Sequence, residues 1–161
     1  MNTKGPLFYS KILLFGEYGI IKNSKGLSIP YNFFNGALKS SKNLDSTAKE
    51  SNKSLEKFAL YLKENTNDEL VVFDTESLLK DINNGLYFDS SIPQGYGVGS
   101  SGALVAAIYD KYAHDKITVL ENLTREKLLK LKAIFGHMES FFHGNSSGSV
   151  SYTHLTLPTK A

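Results

Sequence analysis

Three glycines alternate in the stretch SSIPQGYGVGSSGALVAAIYDKY, at Gly95, Gly97 and Gly99, and a helix-like run begins almost at once after Ser100, Ser101 and Gly102. This stretch constrains the fold more than any other. The alternating segment before it, GLYFDSSI, reads as a strand that stops at Pro93. The segment after it, ALVAAIYDKYA, is apolar on nearly every side and therefore predicts a buried helix. The chain must pass from strand to buried helix through a turn in which glycines permit positive φ and a close approach of backbone to a ligand. A helix that starts there presents unused N–H groups and the positive end of its dipole, which together suit a phosphate.

Several readings of this turn compete. The simplest is a tight turn with a serine as helix N-cap. A Walker A loop is excluded because that motif ends in Gly-Lys-Ser/Thr and no lysine stands here. A dinucleotide fingerprint has a literal match in Gly97, Gly99 and Gly102, but no clear acidic residue ends a second strand about 20 positions on. The protein-kinase reading fails for lack of the V-A-I-K, H-R-D and D-F-G set.

Elsewhere, KILLFG and GLSIPY predict short strands. GALKSSKNLDSTAKESNKS is polar and predicts a loop. SLEKFALYLKEN predicts an amphipathic helix starting near Ser54 as N-cap, with Leu55, Phe58 and Leu62 on its apolar face. TESLLKDINNG predicts a short helix. TREKLLKLKAIFGHMESFF predicts a long one, with Thr124 as N-cap and Leu128, Leu131, Phe135, Met138 and Phe142 as its stripe. The order of elements favours an α+β sandwich over an alternating parallel sheet.

The bulk composition narrows the class. The chain has 161 residues, the size of one ordinary domain, with 41% hydrophobic and 21% charged residues. The 18 basic residues are scattered and the net charge is +2, so no basic face points to nucleic acid. There is no cysteine, which excludes disulfides and thiolate metal sites. KILLFGEYGII is interrupted by Gly16 and Glu17 and is too short to span a bilayer. The expectation is a cytoplasmic protein with neither a nucleic-acid nor a membrane partner.

Three motifs then carry a family resemblance. Pro93, Gly95, Gly97, Gly99, Ser100 and Ser101 resemble the P-x-G-x-G-x-G-S-S-G/A phosphate loop of the GHMP kinases, named for galactose, homoserine, mevalonate and phosphomevalonate. KILLFGEYGII resembles the family's opening motif through Lys11, Leu13, Leu14, Gly16, Glu17, Ile20 and Ile21, with Tyr18 where histidine is usual. MESFFHGNSSG resembles the M-E-x-x-x-H-G-x-P-S-G-x-D motif of the mevalonate kinase branch through Met138, Glu139, His143, Gly144, Ser147 and Gly148, with Ser146 where proline is common. Each position also has a plain structural reading. Lys11 could be a surface lysine at a strand end, Glu17 a solvated turn carboxylate, Glu139 an exposed helix charge and His143 a cation at a helix C-terminus. A zinc site is not indicated, because H-E-x-x-H is absent.

The resemblance covers roughly residues 5–149. It implies the family's N-terminal α+β domain, a ribosomal-protein-like α/β sandwich, truncated before a second domain. Residues 1–149 would then be an incomplete N-terminal domain. It implies ATP and Mg²⁺ as cofactors, with the ATP phosphates held by Pro93, Gly95, Gly97, Val98, Gly99, Ser100, Ser101 and Gly102. By the same resemblance Mg²⁺ is held by Ser101 and Glu139, Lys11 is catalytic beside the γ-phosphate, and Glu17 and His143 lie on the substrate side. The implied acceptor is the C5 hydroxyl of mevalonate. Another kinase of the family, acting on phosphomevalonate or a sugar, stands as an alternative, as does a nucleotide-binding module without catalysis; a dinucleotide-dependent oxidoreductase is a more distant one.

The family's aspartate after the S-G-x step is absent, and Val150 stands in its place. From Val150 to Thr159 the chain reads VSYTHLTLPT, which resembles the frame translation of a transposon-library sequencing adapter. The expectation is that native sequence ends near Ser149, that residues 150–161 are a non-native tail, and that the chain as written is inactive.

Overall fold

The computed structural model describes residues 5–15, 27–118 and 123–143. Strands β1 (Phe8–Phe15), β2 (Leu27–Ser40) and β3 (Leu86–Ser90) form an antiparallel sheet in the order β1-β2-β3. Helices α1 (Ser46–Asn65) and α2 (Thr75–Asn83) lie between β2 and β3 in the chain, and α3 (Ser100–Tyr112) and α4 (Arg125–His143) follow β3. The class is α+β, as the order of elements implied.

The helices begin where their caps dictate. Asp45 accepts from the Ala48 amide at 2.8 Å and Asp74 from the Ser77 amide at 2.9 Å. Thr124 Oγ1 accepts from the Lys127 amide at 3.2 Å, the cap expected for α4. Helix α3 is the exception. Its N-cap is Gly99, left-handed at φ 84° and ψ 31°, and no side chain caps it. The serine N-cap expected from the simplest reading of the turn is therefore corrected: Ser100 and Ser101 lie inside the helix, and the turn is made by backbone that glycine permits.

The stretch read as a loop is also corrected. GALKS completes β2, and α1 starts at Ser46, well ahead of Ser54. The reason lies in what its polar residues meet. Ser51 Oγ donates to the Phe88 carbonyl at 3.0 Å and accepts from the Phe88 amide at 2.9 Å. Asn52 Nδ2 donates to the carbonyls of Ile82 at 2.9 Å and Leu86 at 2.6 Å. The first turns of α1 thus satisfy backbone groups of the edge strand β3 and the end of α2, so their polarity marks a contact with peptide groups.

Two apolar clusters hold the layers together. The larger joins Leu55, Phe58 and Leu62 of α1 to Leu78 and Ile82 of α2, Val105, Ile108 and Tyr109 of α3, and Leu131, Phe135 and Met138 of α4. The smaller lies where α3 meets the sheet. There Ala103, Ala106 and Ala107 pack on Phe8 and Ile92, with Val98 against them. The small residues let α3 approach the strands closely, which brings its N-terminus and the loop before it to the β1 edge.

A polar link joins α2 to α3. Asp81 accepts from Tyr112 Oη at 2.7 Å and Lys111 Nζ at 2.9 Å. Burial alone would raise the Asp81 pKa, but these hydrogen bonds and the lysine charges more than offset it, so the carboxyl is held below its usual value. A group lowered in the folded state contributes stability above its unfolded pKa and loses that contribution as pH falls through the folded one. Asp81→Asn should therefore cost about 1 kcal/mol at pH 7, the half-exposed site keeping the figure small. The deficit should shrink in urea melts below about pH 4, whereas a deficit independent of pH would assign Asp81 a purely steric role. Asn52→Ala should cost roughly 2 kcal/mol by urea unfolding, because two carbonyls lose their donor; a loss below about 0.5 kcal/mol would show that water replaces the amide.

Candidate active site

The sheet order leaves β1 at an edge, and the loop between β3 and α3 closes on that edge. The Lys11 amide donates to the Val98 carbonyl at 3.1 Å. Its neighbour in the β1–β2 register is Pro30, and the register shifts between Tyr9 and Ser10. Ser10, fully buried, donates its hydroxyl to the Tyr31 carbonyl at 2.6 Å across this irregularity. The strand carrying Lys11 is thus bound to β2 on one side and to the glycine loop on the other.

The loop itself is built from positive φ at Gly95 (81°), Gly97 (68°) and Gly99 (84°). A Cβ at Gly95 or Gly97 would meet nothing within 4 Å, so these glycines are required by backbone conformation and not by crowding. Pro93 is half-buried at the loop's start, and Val98 anchors its far end in the smaller cluster. The Ala103 amide makes a helical bond to the Gly99 carbonyl at 3.0 Å. The amides of Ser100, Ser101 and Gly102 lie ahead of it, in the turn whose N–H groups a helix does not use itself. The arrangement can accept a phosphate through these amides and the dipole of α3.

Helix α4 brings two more groups to this side. Glu139 is buried at 2% exposure and Lys11 at 4%. Burial pushes the Lys11 amine down to about 7, against the Glu139 charge, which raises it. The plain readings of a surface lysine and an exposed helix charge are therefore overturned: each is buried, and the charge of one acts on the other. One turn further along α4, His143 is exposed and its Nε2 lies 2.9 Å from Ser101 Oγ. Phe142, between them in sequence, packs on Phe58 with ring centroids 5.3 Å apart, and Phe141 does so at 5.2 Å, which holds the last turn of α4 in place.

Of the residues singled out in the sequence, the structure thus joins Lys11 to Val98 through the backbone, Lys11 to Glu139 through charge, and Ser101 to His143 by a hydrogen bond. Glu17, Tyr18, Gly144, Ser146, Ser147, Gly148 and Val150 lie outside the described residues. The Ser101–His143 contact and the Lys11–Val98 bond had no sequence signal, since each joins positions far apart in the chain.

The donor set bears on a cation. Among the described residues no group of three or more His, Asp or Glu is placed to hold a metal by itself. One buried carboxylate and one hydroxyl, Glu139 and Ser101, are hard oxygen donors. That set fits Mg²⁺ arriving with phosphate oxygens and water, and does not fit a metal caged by protein alone.

An antiparallel α+β domain that presents a glycine loop, a helix N-terminus and a buried lysine–carboxylate pair on one side defines a phosphate-handling class. The model of the GHMP kinases N terminal domain matches residues 54–151, more than half of the chain, and the chain belongs to that family. Its members are ATP-dependent kinases. The match includes the glycine loop and α4 and leaves β1, with Lys11, outside it. Comparison with curated proteins and with solved structures gave no match. Among the described residues no helix is long and apolar enough to cross a membrane.

Gly99→Ala places a Cβ in the left-handed region and should lower stability by about 1 kcal/mol. Gly99→Asn should recover part of that loss, because asparagine tolerates this conformation. Thermal melts of the three proteins check the order; equal midpoints would mean that the loop relaxes to another conformation.

Proposed function

We propose that the protein is built to transfer the γ-phosphoryl group of ATP to the hydroxyl of a small molecule, with the C5 hydroxyl of mevalonate as the acceptor. One observation carries this reading: the glycine loop, the start of α3 and the Lys11–Glu139 pair are tied together at the β1 edge. Phosphoryl transfer asks a protein mostly for positioning and charge neutralisation, and this arrangement supplies both. Loop 93–102 holds the phosphates through backbone amides. Glu139 and Ser101 hold Mg²⁺, which when bound neutralises phosphate charge. Lys11, as ammonium, stabilises the charge of the transferring group. In the transfer, the acceptor oxygen forms a bond to the γ-phosphorus, the bond from that phosphorus to the β-phosphate bridging oxygen breaks, and ADP leaves.

The acceptor hydroxyl must lose its proton, and the aspartate that family resemblance expects to take it is replaced by Val150. We infer that native sequence ends near Ser149 and that residues 150–161 are translated adapter, so that 1–149 is an incomplete kinase domain. On this reading the chain binds nucleotide but does not turn over. Val150, if native, favours a second reading, a nucleotide-binding module without catalysis. Mevalonate as acceptor rests on the similarity of MESFFHGNSSG to one branch of the family, and another acceptor within the family is the alternative.

Mg-ATP at a hundredfold excess over Kd should stabilise the chain by about 2.7 kcal/mol. This should appear as a rise of several degrees in Tm, while NAD leaves Tm unchanged. Glu139→Ala should remove the metal-dependent part of the rise. Stabilisation by NAD and not by Mg-ATP would sink the kinase reading. Sequencing the source gene through codon 150 decides the tail: aspartate and a continued frame are expected, and valine followed by the same tail would refute the adapter origin.

A further inference from the structure

We infer that His143 is a positioning residue for Ser101: its Nε2 accepts the Ser101 hydroxyl proton and turns the Oγ lone pairs toward a divalent cation carried by a nucleotide and shared with Glu139. This rests on the kinase reading above and adds to it a role for His143 that the sequence does not assign.

The argument starts from the hydroxyl. A serine side chain has three staggered rotamers and a hydroxyl hydrogen that rotates among its neighbours. A hydroxyl can ligate a cation only when its hydrogen points away from the ion. At the start of a helix nothing intrinsic enforces that, and α3 uses no side chain as its cap. Ser101 Oγ instead lies 2.9 Å from His143 Nε2. In the tautomer with its proton on Nδ1, the imidazole offers Nε2 as an acceptor, and the hydroxyl hydrogen is committed to it. Both lone pairs of the oxygen then face elsewhere.

Helix geometry ties this to the cation. Glu139 and His143 are four residues apart and lie on one face of α4. One helix therefore brings the buried carboxylate and the group that orients the second oxygen donor. The last turn of α4 is fixed by Phe141 and Phe142, which pack on Phe58 and on each other, the two rings 4.9 Å apart. The helix turn that carries the exposed imidazole is thus held by packing that does not depend on a bound nucleotide. The resemblance puts His143 on the substrate side; in the structure its ring also reaches Ser101 of the loop.

Groups that orient metal ligands change metal affinity by about 10–100-fold when removed. The experiment uses the 161-residue chain with Mn²⁺ and the non-hydrolysable β,γ-imido analogue of ATP as probes, with affinities measured calorimetrically. His143→Phe keeps the ring and loses the acceptor. The Mn²⁺ concentration for half-saturation of the nucleotide complex should rise about tenfold, while affinity for the analogue without metal stays as in wild type. His143→Gln can place an amide oxygen where Nε2 stood and should restore most of the metal affinity. In a Ser101→Ala background, His143→Phe should add no further loss. Equal weakening by Phe and Gln, an equal fall in metal-free affinity, or additive losses with Ser101→Ala would overturn the inference while leaving the kinase reading intact. An unchanged His143→Phe would do the same. Absence of any metal-dependent nucleotide binding by the wild-type chain would overturn both.

Discussion

A lysine and a glutamate buried on different elements, Lys11 on β1 and Glu139 on α4, set the condition that the rest of this domain meets. Burying either charge without a compensating partner carries a large desolvation cost. The Glu139 charge favours the ammonium form of Lys11 and so offsets part of that cost. That requires β1 and α4, separated in sequence by nearly the whole domain, both to be held against the same helix. Helix α3 does this. Its alanines pack on the sheet and its larger apolar residues pack on α1, α2 and α4.

The same arrangement places the chemistry. The close seat of α3 on the sheet carries its N-terminus to the β1 edge, where the Val98 carbonyl takes the Lys11 amide. The glycine loop is thus joined to the strand that bears the buried amine. Burial lowers the affinity of that amine for its proton, so its charge depends on the negative charge beside it. A phosphate arriving at the loop would add to that negative charge, which is the electrostatic logic expected of a site that binds and transfers phosphoryl groups.

Much of this was legible in the sequence. The buried character of α3 follows from its lack of a polar face, the stripe on α4 from periodicity and its Thr124 cap, and the short α2 from the helix-like run TESLLKDINNG and the glycine that stops it. The loop was legible because positive φ is a backbone property that glycine spacing records directly. The first turns of α1 were not. Ser51 and Asn52 read as loop residues because their polarity gives no clue that its partners are peptide groups of Ile82, Leu86 and Phe88. Their role exists only once β3 has become a sheet edge.

By itself the sequence determined the elements that obey local rules: the glycine turn, the buried helix after it, the capped amphipathic helix α4 and the family to which their motifs point. Tertiary structure alone decided which charges are buried and what they face. Lys11 and Glu139 could each have been an ordinary surface residue, and His143 an ordinary helix-end cation. Burial and pairing are properties of distance in space, and residues more than a hundred positions apart carry no local record of it.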